Sequence, residues 1–258
     1  MERSEGRSVR RFDGRVALIT GAASGIGRAT AVRLAAEGAR IYGADVDEAG
    51  LKETTGLVEQ AGGTMASGRH DLLRRAECFG AVEAAVGEFG RLDLLGNIAG
   101  ASQFHIFEQM PEEDWHFLIG LNLTAVAFTC QAAIPHLLET GGSIVNIASV
   151  AAAVGQAYTV AYCAAKGGVV QLTRALAAEY IDRGLRVNAV APAGVNTPLS
   201  GKIEFPETMD WKLARRYMGR RGMAEPEEIA AAIAYLASDE ARMVHGAILA
   251  IDGGISAT

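Results

Sequence analysis

Residues 16–27 read Val16-Ala17-Leu18-Ile19-Thr20-Gly21-Ala22-Ala23-Ser24-Gly25-Ile26-Gly27. A short apolar run passes into a glycine-rich turn, and a helix candidate over 25–37 follows. Glycines at this strand-to-helix turn let the backbone bend and let a pyrophosphate approach closely. The helix behind them offers free N–H groups and the positive end of its dipole to the phosphates. The spacing is G-x-x-x-G-x-G rather than G-x-G-x-x-G. Glycine spacing alone is weak, but its place on the first strand of a βαβ unit makes it strong.

The second strand ends at Asp45, 18 residues after Gly27. A carboxylate there accepts both adenosine ribose hydroxyls and repels a 2′-phosphate. Arg28 follows the loop, but Ala22, Ala23 and Ser24 are uncharged, so the expected cofactor is NAD, with NADP less favoured. Asp45 also reads as a helix cap, a role open to Asp47.

Beyond this unit the chain keeps alternating. Strands are expected over 16–20, 40–44, 64–70, 92–97, 143–148, 186–190 and 247–251. Most lack period-two alternation, as suits strands covered on both faces. Helices are expected over 25–37, 47–60, 74–89, 112–138, 157–182 and 226–237, each spacer long enough for a right-handed crossover. Gly38, Gly62, Gly63, Gly90 and Gly184 read as helix stops. Pro226-Glu227-Glu228 suits a first helical turn. The fold class is α/β: one doubly wound parallel sheet. Residues 1–11 read as a flexible tail and 12–258 as the domain. The long segment 198–222, with Pro206, Trp211, Tyr217 and Met218, reads as a substrate lid.

Composition excludes several classes. The 258 residues carry a formal net charge of −6, which argues against nucleic acid as a partner. Cys78, Cys130 and Cys163 are odd in number and widely spaced, so neither a disulfide framework nor a zinc pattern is present, and a reducing cytoplasm is expected. The five histidines are dispersed, and no metal is expected. Residues 115–138 and 140–165 contain no Asp, Glu, Lys or Arg, yet Asn122, Pro135, His136, Asn146 and several glycines suit buried elements better than membrane spans. The N-terminal MERSEGRSVRR lacks the apolar core of a signal peptide.

Tyr162-Cys163-Ala164-Ala165-Lys166 puts a phenol and an ammonium four apart on one helix face. Ser149 lies 13 residues earlier at a strand end, the ligand-binding edge of such a sheet. Asn122 sits in an apolar run, where an amide needs a partner or a purpose. Together these residues suit a hydroxyl/carbonyl redox step. Tyrosine ordinarily ionises near pH ~10, and a nearby ammonium favours the phenolate. Ser149 steadies the substrate oxygen, and Asn122 holds a water linking Lys166 to solvent. Cys163 faces away from its neighbour Tyr162 and reads as packing.

The chain here resembles the short-chain dehydrogenase/reductase family over about residues 12 to 254. The resemblance is carried by Thr20–Gly27, Asp71, Asn97-Ile98-Ala99-Gly100, Asn122, Ser149, Tyr162, Lys166 and residues 192–197. It implies a Rossmann domain with strand order 3-2-1-4-5-6-7 and catalytic Asn122, Ser149, Tyr162 and Lys166. It places Gly21, Ser24, Gly25, Ile26, Gly27 and Asp45 on the phosphates and ribose, and Asp71 and Leu72 beside the adenine. Asn97, Ala99 and Gly100 would support the adenosine side, and Tyr162 and Lys166 would also hold the cofactor. Pro192, Val195 and Thr197 fall at the nicotinamide end. The family pattern Asn-Asn-Ala-Gly is Asn97-Ile98-Ala99-Gly100 here, and Ala193 stands where glycine usually follows the proline. Ala193 does not readily adopt φ > 0, so the bend is expected at Gly194.

The implied activity is NAD-dependent interconversion of a secondary alcohol and a ketone by hydride transfer. The substrate would be a neutral small molecule lined by Ser149, Ala151, Gln156, Tyr162 and Gly194, with Gln103 and His105 beside them. The resemblance also implies a homotetramer, or a homodimer, and the long uncharged helices agree with that. An NAD-using isomerase or dehydratase, and a redox-silent NAD-binding partner protein, are the other readings of the same scaffold.

Overall fold

The computed structural model describes residues 10–202, 204–214 and 221–257. Its seven strands are β1 Val16–Thr20, β2 Arg40–Asp45, β3 Thr64–Arg69, β4 Leu94–Asn97, β5 Ser143–Ile147, β6 Arg186–Pro192 and β7 Ile248–Ile251. They form one parallel sheet in the order β3-β2-β1-β4-β5-β6-β7. β1 pairs with β2 from Val16↔Arg40 and with β4 from Ala17↔Leu94. The strand order reverses beside β1, which opens a crevice at the carboxyl ends of β1 and β4.

Helices cover both faces. α3 (Arg75–Phe89), α5 (Ala125–Thr140) and α6 (Val160–Glu179) pack with Val16 and Leu18 on one side. On the other side α1 (Gly25–Ala36), α2 (Glu48–Gln60) and α8 (Pro226–Ala237) pack with Ala17 and Ile19. Successive residues of a strand point to opposite faces, so apolar runs without alternation are what this double cover demands. α3 closes on Gly90, whose φ of +78° is the left-handed cap expected of glycine. Asp47 caps α2 by accepting the Gly50 N–H at 3.0 Å.

Several expected elements differ, β4 for one starting at Leu94 rather than 92. The helix expected over 112–138 is α4 (Glu112–Ile119), a wide π turn (Gly120–Thr124) and α5. Asn122 lies in the π turn, fully buried. α6 starts at Val160 rather than 157, because Tyr158 takes φ +68° and cannot continue a right-handed helix. β6 runs on to Pro192, two residues past its expected end. The continuous helical run Glu112–Thr140 is long and apolar enough to cross a membrane, but it is packed on the sheet. The second uncharged stretch divides among β5, a 3₁₀ turn and the start of α6, so it is no single helix.

The expected tail meets the fold at Arg11, while residues 1–9 lie outside the described residues. The Arg11 guanidinium donates to Glu37 at 2.6 and 2.8 Å and to Glu240 at 2.7 Å, so residue 11 belongs to the domain. Arg33 adds a third bond to Glu37 at 2.6 Å. Burial alone would push the Glu37 carboxyl up, but these guanidiniums outweigh it and hold the group below its ordinary value. Such a carboxylate stabilises the fold at neutral pH, and its contribution fades as pH falls through the depressed range. Glu37→Gln should therefore cost ~1–3 kcal/mol at pH 7. The deficit should shrink towards pH ~3, as read from denaturant unfolding at both pH values.

Candidate active site

The crevice is an open cleft of about 420 Å³. Ser24, Gly25, Ile26 and Gly27 line it together with Asp45, Asp71, Leu72, Gly100, Thr197 and Leu199. The loop is shaped by contact. A Cβ on Gly21 would lie 2.8 Å from the Ala99 Cα, and one on Gly27 would collide with the Gly21 carbonyl oxygen. Ser24 is the N-cap of α1 without a side-chain cap bond. The first turn of α1 therefore faces the cleft with donors available to an anion. Asp45 accepts the Ala23 N–H at 3.0 Å, which ties the end of β2 to the loop. Arg28 is held outside, donating to Glu53 at 2.7 Å, Thr54 at 3.1 Å and the Ala23 carbonyl at 2.5 Å. An uncapped helix start and side-chain-free glycines beside Asp45 fit an extended nicotinamide dinucleotide.

Ser149 ends the β5 segment and Tyr162 and Lys166 lie on α6. The Ser149 hydroxyl accepts the Ala151 N–H at 3.2 Å and lies near enough to the Tyr162 phenol to favour its ionised form. Lys166, only 3% exposed, donates to the Ile147 carbonyl at 2.8 Å, and its Nζ lies 5.6 Å from the centre of the Tyr162 ring. Burial lowers the Lys166 ammonium to about 8. Burial raises the Tyr162 phenol, and the Ser149 hydroxyl pulls it partway back. Desolvation is the largest influence on both groups, and the ammonium is directed at a carbonyl.

Asn122 is reached through Gly100. A Cβ there would stand 2.8 Å from Asn122 Oδ1 and 3.7 Å from Lys166 Nζ. The Asn122 amide donates to the Ala101 and Leu118 carbonyls, both at 2.9 Å, and accepts the Ala101 N–H at 3.2 Å. Its side chain thus fastens the π turn to the loop after β4 rather than presenting a free amide to water.

Asn97, expected at the cofactor, points elsewhere. It is 3% exposed; its Nδ2 donates to Asn146 at 2.9 Å and its Oδ1 accepts Thr129 at 2.6 Å. Asn146 continues to Thr173 on α6 at 3.0 Å. This chain of bonds joins β4 and β5 to α5 and α6 beneath the site. Ile98 and Ala99 follow Asn97 along the cleft, their N–H groups donating to Thr20 Oγ1 at 2.9 and 3.1 Å.

After β6 Thr197 packs against Gly25, and Val195 is buried and pairs with Ala224. The chain bends at Gly194, as expected, and neither Ala193 nor Gly194 has positive φ, so alanine is accommodated without strain. Gly194 lines a recess with Ala193, Arg221, Met223 and Asp252. Pro192 approaches Ser149 through its carbonyl, 3.5 Å from the hydroxyl. Ala151 is buried beside Ser149, and Gln156 lies in the turn before α6.

The lid segment carries a 3₁₀ turn (Ser200–Lys202) and the one-turn helix α7 (Trp211–Ala214); residues 203 and 215–220, with the expected Tyr217 and Met218, lie outside the described residues. Phe205 stacks edge-on to Phe104 at 4.9 Å and against Trp211 at 5.1 Å. Phe104 and Tyr158 were not legible as lid contacts, since nothing in local sequence links positions so far apart. Among the described residues no group of three His, Cys, Asp or Glu side chains is set to hold a metal.

A family model described as Enoyl-(Acyl carrier protein) reductase matches residues 21–256. D-threitol dehydrogenase of Mycolicibacterium smegmatis is 42% identical over 248 residues, covering 95% of this chain and 94% of that protein. Cyclohexanol dehydrogenase of an Acinetobacter species is 38% identical over 94% of this chain and 95% of its own. Among solved structures, carveol dehydrogenase from Mycobacterium avium in complex with NAD superposes with a TM-score of 0.87 at 33% identity, covering 96% of this chain and 99% of that one.

Replacing Asn97 by Ala should leave Thr129 and Asn146 short of partners inside the core. The expected cost is ~1–3 kcal/mol, a fall in Tm of about 2–10 °C by thermal unfolding, with NADH affinity changed far less.

Proposed function

The chain belongs to the short-chain dehydrogenase/reductase family, and from that membership we propose that it interconverts a secondary alcohol and a ketone with NAD(H), Tyr162 transferring the hydroxyl proton. The observation that carries this reading is the close approach of buried Lys166 to Tyr162 on α6, its Nζ 5.6 Å from the centre of the phenol ring, with buried Ser149 just past β5 at the carboxyl edge of the sheet. When bound, NAD(H) supplies the acceptor or donor for the hydrogen at the carbinol carbon. Ser149 orients the substrate oxygen, and Tyr162 takes or gives its proton. Lys166 holds the ribose beside them, and Asn122 positions the loop that carries Gly100. Asp45, Asp71 and Leu72 receive the adenosine, and residues 24–27 the phosphates, with Val195 and Thr197 at the far end.

NAD is preferred over NADP in this reading. Asp45 stands where a 2′-phosphate would come, and Arg28, the nearby cation, is engaged by Glu53. The substrate is a neutral secondary alcohol, in keeping with the names of the threitol and cyclohexanol dehydrogenases. A homotetramer is part of the same proposal, supported by the apolar Glu112–Thr140 run, half of whose most apolar window stays uncovered within one chain. The three free cysteines suit a cytoplasmic setting.

Tyr162→Phe should abolish turnover in a panel of alcohols and ketones followed by NADH absorbance, while NADH still binds; wild-type kcat in that variant refutes the assignment. Because burial keeps the phenol protonated at neutral pH, alcohol oxidation should accelerate as pH rises above ~7, and ketone reduction should weaken at high pH. A higher kcat/KM with NADPH than with NADH would overturn the cofactor preference.

A further inference from the structure

Tyr158 is the one non-glycine residue among those described with a left-handed backbone, at φ +68°. Bulky side chains rarely adopt this conformation unless surrounding contacts impose it. The contacts here come from two directions. Its carbonyl accepts the His105 N–H at 2.8 Å, which fixes it to the loop after β4. Its phenolic oxygen accepts the Asp210 N–H at 2.9 Å, from the residue immediately before α7. The next residue, Trp211, stacks on Phe205, and Phe205 stacks on Phe104 of the same β4 loop. Tyr158 also lies one turn ahead of Tyr162 in sequence, immediately before the helix that carries the reacting phenol.

We propose that Tyr158 is a positioning residue that latches the 204–214 segment over the alcohol site, its hydroxyl holding the Asp210 backbone while Phe104, Phe205 and Trp211 close the same seam. The proposal rests on the dehydrogenase reading for its effect on substrate, but not for the latch itself. The left-handed backbone aims the side chain of residue 158 away from the axis of α6 and towards the segment. The hydroxyl supplies a single uncharged hydrogen bond, so the closed arrangement is favoured without being fixed. Substrate affinity then scales with the closed fraction.

Tyr158→Phe removes the hydroxyl and keeps the ring and backbone. In the full chain, trypsin should nick after Lys212 about fivefold faster than in wild type, the fold-change expected for one such bond. KM for the alcohol should rise by about the same factor with kcat and NADH affinity little changed. A ring with only a packing role would leave both readouts at wild-type values, and that result overturns the latch. Should Tyr158→Phe lower Tm, Asp210→Pro deletes the donor from the other side, and its nicking rate decides in the same way. Tryptic nicking needs no substrate. A faster rate in a protein inactive on every alcohol would keep the latch and sink the dehydrogenase reading.

Discussion

Everything at the cofactor cleft depends on one steric constraint: no side chain fits where β1 turns into α1. A Cβ on Gly27 would strike the Gly21 carbonyl, and one on Gly21 would press on Ala99. Because both positions are bare, the start of α1 lies directly over the ends of β1 and β4. Its first-turn N–H groups therefore face the crevice that the reversal of strand order opens. Thr20 takes the Ile98 and Ala99 N–H groups and fixes the opposite wall. Asp45 then ties the end of β2 to the loop by accepting from Ala23.

A second organising feature lies beneath the reacting groups. Asn97, Thr129, Asn146 and Thr173 satisfy one another inside a core that is otherwise apolar. An unpaired member of such a network costs more than a pair contributes, so the four residues hold β4, β5, α5 and α6 in one arrangement. That arrangement sets the heights of Ser149 and Lys166 relative to each other. The π turn performs the same office for Asn122, whose amide reaches the loop after β4 only because the helix widens there. Both devices place polar groups where solvent is scarce, and burial in turn raises the Tyr162 phenol and lowers the Lys166 ammonium.

Much of this was legible in the primary structure. Apolar runs, glycine stops and spacer lengths define seven parallel strands and their covering helices, since periodicity and chain reach are local properties. The motif around Gly21–Gly27 and the pairing of Tyr162 with Lys166 are likewise local, and both stand where spacing puts them. Asn97 illustrates the boundary. Its position in the chain suggests a cofactor contact, yet its partners Thr129 and Asn146 lie 32 and 49 residues away and draw it into the core.

Sequence by itself therefore determined the fold class, the phosphate loop and the candidate reacting residues, because each rests on residues within one or two turns of each other. Only the tertiary structure decided how those groups are charged, which way Asn97 and Asn122 face, and what the long segment after β6 rests upon. Those outcomes depend on desolvation and on bonds between positions tens of residues apart, as between Tyr158 and Asp210. Such pairings exist only once the sheet has brought its carboxyl edge together.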